Sequence, residues 1–274
     1  MRIALFGNTS AQKSEQCESR LTAILQKFGH TVLPQKEFPE SDGLAEADVV
    51  ITIGGDGTFL RAAAQVGSKG IPMLGINTGR LGFLADVNAN DLESAIEKLD
   101  SGRFTIQKRH LLELDMNGLP AGHTPYALND IAILKHDISS MISISTRVAG
   151  HELVTYQADG LVIATSTGST AYSLSVGGPI VEPGTNVTVL TPVAPHSLTM
   201  RPLVLSATQT IDLDVASRSH SFLVSIDGNS FSLHEHTPLS IRRAPFTLSV
   251  IRLEGSSFYA TLQQKMLWGS DSRQ

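Results

Sequence analysis

The first hundred residues alternate between two hydrophobic periods. Ile3 to Phe6 is a short apolar run, and Leu21, Ile24, Leu25 and Phe28 then recur at i, i+3, i+4 and i+7. That is one face of a helix, which Gly29 can end. Thr31-Val32-Leu33 is strand-like before Pro34. Asp48 to Ile53 is a nearly unbroken β-branched run, as in parallel-sheet strands buried on both faces. A helical pattern continues through Phe59, Leu60, Ala63 and Ala64, and Pro72 to Ile76 is a further strand. Asn90 is placed to cap a helix carrying Leu92, Ala95, Ile96 and Leu99, terminated by Gly102. Alternating strands and helices predict an α/β domain, a Rossmann-like parallel sheet with helices.

After about Phe104 the period becomes 2. Ile142-Ser143-Ile144-Ser145, Thr210 to Val215 and Phe246 to Val250 all alternate, which places one face of each strand on a core. The second half therefore predicts an all-β, β-sandwich-like domain. The expected division is 1–103 for the α/β domain, 104–257 for the all-β domain and 258–274 for a tail. Phe258, Leu262, Met266 and Leu267 suit a helix or arm that packs back on the first domain.

Composition sharpens this picture. Charged residues reach only 17%, against roughly 25% in an average protein, while apolar residues make up 41%. In the β half, Ser and Thr fill the polar positions that Lys and Glu usually take. Edge strands so patterned are less guarded against pairing, so self-association through this half is expected. The net charge of −5 argues against a nucleic-acid partner, which needs a basic face. No apolar run approaches the roughly 20 residues that span a bilayer, and the N-terminus ends its short apolar stretch at Gly7-Asn8, so no membrane partner is expected. Cys17 is the single cysteine and has no disulfide partner, which points to the cytoplasm. Its polar neighbours include no histidine, so it is not expected to act as a nucleophile.

The candidate chemistry begins at Gly54-Gly55-Asp56-Gly57-Thr58, directly after the buried strand and opening a helix. Glycines allow close backbone approach, and backbone N–H groups at a helix N-terminus suit a polyphosphate. Asp56 is the odd residue there, because a carboxylate in an anion site is costly unless it binds metal or removes a proton. The order matches neither the dinucleotide fingerprint nor the P-loop.

GGDGT resembles the signature shared by NAD kinases, diacylglycerol and sphingosine kinases and, more loosely, phosphofructokinases. Other blocks single out the bacterial-type NAD kinase (ATP-NAD kinase) family. Asn77-Thr78-Gly79-Arg80-Leu81-Gly82-Phe83-Leu84, Asn129-Asp130, Asp159-Gly160, Thr165 to Ser175, Val193 to Leu198 and Ile226-Asp227-Gly228-Asn229 are similar to that family's blocks, in order. The resemblance implies transfer of the ATP γ-phosphate to the 2′-hydroxyl of the adenosine ribose of NAD, giving NADP. It implies Asp56 as general base, and Gly54, Gly55, Gly57 and Thr58 as the phosphate loop. Arg61, one turn along, lies near phosphate. The same resemblance implies that Asn129, Asp130, Asp159, Thr170, Ala171, Tyr172, Ser173, Leu174, Ser175, Ala194 and Asn229 bind the dinucleotide. Mg²⁺ bridges the ATP phosphates, and no protein metal ligand is assigned. Ser166 departs from the family's proline, Asn229 from its glutamine, and Gln157 from a position that is often basic. A GGDGT-type lipid kinase and a non-catalytic dinucleotide sensor are the alternatives.

Several residues have plainer readings. Arg80 suits either phosphate or a solvated loop. His234-Glu235-His236 suits a solvated hairpin better than a metal, since the sequence places no third ligand. His196 is expected to be packed and hydrogen-bonded. The carboxylates Asp56, Asp130 and Asp159 fall on both sides of residue 103, so the site is expected in the cleft between the halves, with neither half active alone.

Overall fold

The computed structural model describes residues 1–7, 12–33, 42–79, 81–137 and 140–269. Packing divides the chain into two compact units, Met1–Lys108 with the segment from Leu248 onward, and Arg109–Thr247.

The first unit is α/β. Its strands β1 (Arg2–Gly7), β2 (Thr31–Leu33), β3 (Val49–Gly54) and β4 (Met73–Asn77) pair in parallel in the order β2-β1-β3-β4. A short β5 (Val87–Asn88) lies beside β4. The connections carry α1 (Gln12–Lys27) and α2 (Asp56–Val66), and α3 (Leu92–Asp100) follows β5. Every residue of β3 and β4 is buried, which explains their continuous apolar runs. Ile3, Ile51, Ile53, Leu74 and Ile76 from the sheet pack with Leu21, Leu25, Leu92 and Ile96 from the helices. Truncating one such side chain to alanine costs about 2–5 kcal/mol. Cys17 belongs to this core, and burial pushes its thiol pKa up, away from the activated thiolate range. Asn90 does not cap α3. Asp91 occupies the cap position without a side-chain bond, while the Asn90 amide donates to Asn88 Oδ1 at 2.9 Å.

β6 (Phe104–Asp115) carries the chain onward to β7 (Tyr126–Ala127), β8 (Asp130–Lys135), β9 (Ile142–Val148), β10 (His151–Ala158) and β11 (Gly160–Thr165). A single turn, α4 (Tyr172–Ser175), precedes β12 (Val187–Val193), β13 (Leu203–Ser206), β14 (Ile211–Ala216), β15 (Ser221–Ile226), β16 (Asn229–His234) and β17 (Leu239–Leu253). In the second unit β13-β12-β11-β8-β15-β16 form one antiparallel sheet, and β10-β9-β14 with the start of β17 form another. Ile131, Ile133, Leu161, Ile163 and Phe222 from the first sheet share a core with Ile142, Ile144, Tyr156, Leu213 and Ile241 from the second. This is the antiparallel, sandwich-like arrangement that period-2 alternation implies. On the outer face Ser145 and Thr155 hydroxyls pair at 3.2 Å, and Ser143 donates to Gln157 at 2.8 Å. Hydroxyl pairs of this kind account for the low charge of this half.

The packing division differs from boundaries at 103 and 257. β17 is 15 residues long, and its far end leaves the second unit. Val250 lies opposite Met73 in a parallel pairing, and Ile251 and Leu253 enter the first unit's core. The following helix, α5 (Phe258–Met266), belongs to that unit too. Among the described residues no helix is long and apolar enough to cross a membrane.

Candidate active site

The loop between β3 and α2 is shaped by its glycines. Gly54 has φ 155°, and a Cβ there would sit 2.4 Å from Thr58 Oγ1. Side chains added at Gly55 or Gly57 would meet open space, so these two leave the backbone bare toward solvent rather than fitting a crowded interior. Gly55 caps α2 without a side-chain bond, and its carbonyl accepts from Thr58 and Phe59 at 3.0 and 3.2 Å. Arg61 is exposed one turn along and donates to Thr58 Oγ1 at 3.3 Å.

Asp56 opens α2, where the helix dipole favours an anion, yet its carboxylate turns to the loop after β4. Oδ1 accepts from the Leu84 and Ala85 amides at 3.0 Å each, and Oδ2 accepts from the Phe83 amide at 3.0 Å. Successive N–H groups of this kind form an anion-binding nest. The cost of placing a carboxylate here is thus met by three backbone amides. Gly82 is required at the edge of this nest, because a Cβ would lie 2.0 Å from Asp56 Oδ1. Arg252 holds the opposite side of the loop, donating to the Phe83 carbonyl at 2.8 Å and pairing with Asp86 at 2.6 Å. A carboxylate has about four lone-pair sites. Oδ1 has filled two, whereas Oδ2 has filled one and faces Lys265 Nζ at 3.5 Å.

In the second unit a matching nest organises the other candidate residues. The Asp227 carboxylate accepts from the amides of Leu128, Asn129 and Asp130 at 2.7, 2.8 and 3.1 Å. Asp227 itself adopts φ 48° before Gly228. Asn129 and Asp130 are buried, and the Asn129 carbonyl accepts from the Thr165 amide at 2.8 Å. Gly168 packs on that carbonyl so closely that a Cβ would lie 2.0 Å away. The Tyr172 amide donates to the Asp130 carboxylate, which joins the 129–130 turn to the 165–175 loop. Burial, reinforced by the Asp227 charge, pushes the Asp130 pKa up to about 7. Burial also raises the Tyr172 hydroxyl pKa, with the charges of Asp130 and Asp159 adding to it. Asp159 pairs with Lys135 at 2.8 Å.

Thr170, Ala171 and Leu174 are half-buried, and Tyr172, Ser175, Ala194 and Asn229 are exposed. Asn129, Asp130, Asp159 and Tyr172 therefore form one cluster. Ser173 differs from its neighbours, being fully buried with its hydroxyl 2.9 Å from Thr191 Oγ1. Asn229 opens β16 opposite Ile226.

Asp227, Lys135, Arg252, Gly82 and Lys265 were not singled out as site residues from sequence. The signals for Gly82 and Asp227 lay inside the quoted blocks. Lys265 and Arg252 had none, because their roles depend on distant loops. Arg109 is also buried and donates to Thr167 at 3.3 Å. His196, expected to be packed, is exposed, since it follows the left-handed Ala194 on an open turn. At 234–236 the strand ends in a turn. His236 pairs with Asp214 at 3.0 Å and Glu235 with His220 at 2.5 Å. Among the described residues no three His, Cys, Asp or Glu side chains converge as a metal site. Arg80 lies outside the described residues.

Comparison with known proteins places these loops in a family. The ATP-NAD kinase N-terminal domain matches residues 42–104 and the ATP-NAD kinase C-terminal domain matches residues 128–253. An NAD kinase of Bacteroides fragilis is 50% identical, covering 100% of both chains. One from Porphyromonas gingivalis is 44% identical over 99% of each. Among solved structures, an NAD kinase from Archaeoglobus fulgidus in complex with ATP superposes with a TM-score of 0.82 at 27% identity, covering 97% of this chain and 99% of that one. Yeast NADH kinase complexed with NADH shares the fold, with a TM-score of 0.84 at 20% identity, covering 99% of this chain and 89% of that one. The chain belongs to the ATP-NAD kinase family and is a phosphotransferase of that class.

Proposed function

We propose that the protein transfers the γ-phosphoryl group of ATP to the 2′-hydroxyl of the adenosine ribose of NAD, giving NADP, with Asp56 as general base. The observation that carries this is the asymmetry of the Asp56 carboxylate. Oδ1 is saturated by two amides, while Oδ2 keeps a lone pair for the hydroxyl proton. The amides fix the carboxylate before substrate arrives, and phosphoryl transfer asks mainly for such positioning and charge neutralisation. Gly54, Gly55 and Gly57 present the loop backbone to the phosphates, Thr58 closes the loop through its amide bond to the Gly55 carbonyl, and Arg61 stands beside them. Asn129, Asp130, Asp159, Thr170, Ala171, Tyr172, Leu174, Ser175, Ala194 and Asn229 receive the dinucleotide, and buried Ser173 braces that loop.

Mg²⁺ belongs with the nucleotide in this scheme. Beside the open lone pair of Asp56 Oδ2 stands the Lys265 ammonium, and no second carboxylate pairs with it among the described residues, so the chain's own donors do not fit a protein-held cation there. The metal would be carried by ATP phosphates and water, where it would neutralise phosphate charge. The Ser/Thr-faced sheets end in edge strands β10, β13 and β16, with Leu153 and Val204 exposed on two of them. They support assembly as a homodimer or homotetramer, which light scattering measures. The unpaired Cys17 supports a cytoplasmic setting.

The test is purified protein with NAD, ATP and Mg²⁺, with product read by an NADP-specific dehydrogenase. NADP accumulating with enzyme and time is the expected result. Dinucleotide binding with no turnover would instead identify a sensor.

A further inference from the structure

We infer that Lys265, on the C-terminal helix α5, is a catalytic residue whose ammonium holds the phosphoryl group as it passes from donor to acceptor. The inference rests on Asp56 being the base. Lys265 Nζ lies 3.5 Å from Asp56 Oδ2 and 4.7 Å from the centroid of the Phe83 ring. The Phe83 amide donates to that same Oδ2, so one residue holds the carboxylate with its backbone and seats the cation on its ring. Among the described residues no other Lys or Arg pairs with Asp56.

Helix α5 is fixed in a register that delivers this cation. Phe258 packs on Phe83 with ring centroids 5.9 Å apart, and Leu262 is buried. Ser257 caps the helix by accepting from the Ala260 amide at 3.5 Å. Phe258, Leu262 and Lys265 stand at i, i+4 and i+7, one face of the helix. Lys265 is seated at its position while its side chain remains 34% exposed. An ion pair this exposed contributes little to stability, so a structural role does not explain its placement.

The chemistry does. A base must lie within about 2.6–3.2 Å of the oxygen whose proton it takes, and the attacked phosphorus within about 3–3.5 Å of that attacking oxygen. A cation 3.5 Å from Oδ2 is then beside the oxygens of the transferred group, where charge is spread in the transition state. The ribose oxygen bonds to the γ-phosphorus as the bond from phosphorus to the β,γ-bridging oxygen breaks. That bridging oxygen keeps the electron pair and leaves on ADP. The hydroxyl proton passes to Asp56 Oδ2, and Lys265 stays protonated throughout, donating to a phosphoryl oxygen.

The experiment uses the full chain with Lys265→Met, Lys265→Gln and Lys265→Arg beside Asp56→Asn. Removing the charge is expected to lower kcat at least tenfold, since losing one transition-state donor costs about 10²–10³ at a preorganised site. ATP binding by calorimetry weakens, AMP binding and the KM for NAD stay within about twofold, and Tm is unchanged, as expected for a contact to the γ-phosphoryl alone. Lys265→Arg restores most of the rate. A merely structural lysine would instead lower Tm and weaken ATP and AMP binding together. Lys265→Met and Lys265→Gln within twofold of the parent, beside an inactive Asp56→Asn, would overturn the role of Lys265 and leave the base in place. An active Asp56→Asn would remove the base, and this inference with it.

Discussion

Asp227 and Asp130 are bonded to each other twice through the backbone of one turn. The Asp227 amide donates to the Asp130 carbonyl at 3.0 Å, and the Asp227 carboxylate accepts the Asp130 amide at 3.1 Å. With the Leu128 and Asn129 amides also on that carboxylate, the turn that presents Asn129 and Asp130 is built around Asp227. Asparagine offers one acceptor oxygen and an amide that would face the Leu128 or Asn129 N–H. Hydrogen bonds to charged groups are worth about 1.5–3 kcal/mol each. Asp227→Asn should therefore destabilise the protein by about 2–4 kcal/mol in urea unfolding, and raise the KM for NAD more than that for ATP.

The same proximity gives a pH signature. The Asp130 pKa is raised from its ordinary value to about 7, first by burial and then by the Asp227 charge. A carboxyl whose folded pKa is raised binds more protons folded than unfolded, so its contribution to stability is present at low pH. That contribution is lost between roughly pH 4, its unfolded pKa, and pH 7, its folded one. Asp227, also raised by burial, works in the same direction. Asp130→Asn should raise Tm at pH 8, and the gain should vanish near pH 4. A gain that grew toward acid would contradict the burial account.

Two glycines test the nests directly. Gly82→Ala places a methyl 2.0 Å from Asp56 Oδ1 and should displace the carboxylate, cutting kcat at least tenfold while the circular dichroism spectrum is kept. Gly168→Ala meets the Asn129 carbonyl at 2.0 Å, backbone that cannot swing aside. It should destabilise by more than about 2 kcal/mol, as overpacking a rigid site does.

Much of this was legible in sequence where a local pattern had a local cause. The run from Val49 to Ile53 gave β3 because both its faces are buried, and GGDGT sits where a strand-to-helix turn needs it. The long β17 hid the unit boundary, since alternation at 246–250 continues as the strand passes from one core to the other. Asn90 has the residue type of a cap, but the Asn88 side chain takes its amide and Asp91 holds the cap position, which no local pattern reveals. Residues that act on distant loops were illegible for a stronger reason. Lys265 follows Asp56 by more than two hundred positions, and only the docking of α5 by Phe258 and Leu262 gives it a role.

The central claim is that Asp56 Oδ2 takes the hydroxyl proton. Asp56→Asn preserves size and leaves one oxygen for the Leu84 and Ala85 amides, but its own amide then faces the Phe83 N–H. The 29% exposure of this side chain eases that clash relative to the buried Asp227 carboxylate, and the basic lone pair is gone. Its rate of NADP formation at saturating NAD and ATP is the decisive measurement. A fall of at least a hundredfold is predicted, within the 10²–10⁴ that general bases contribute, with Tm within about 5 °C of the parent, the shift of roughly 1–2 kcal/mol in a chain of this size. Turnover within tenfold of the parent would contradict the account.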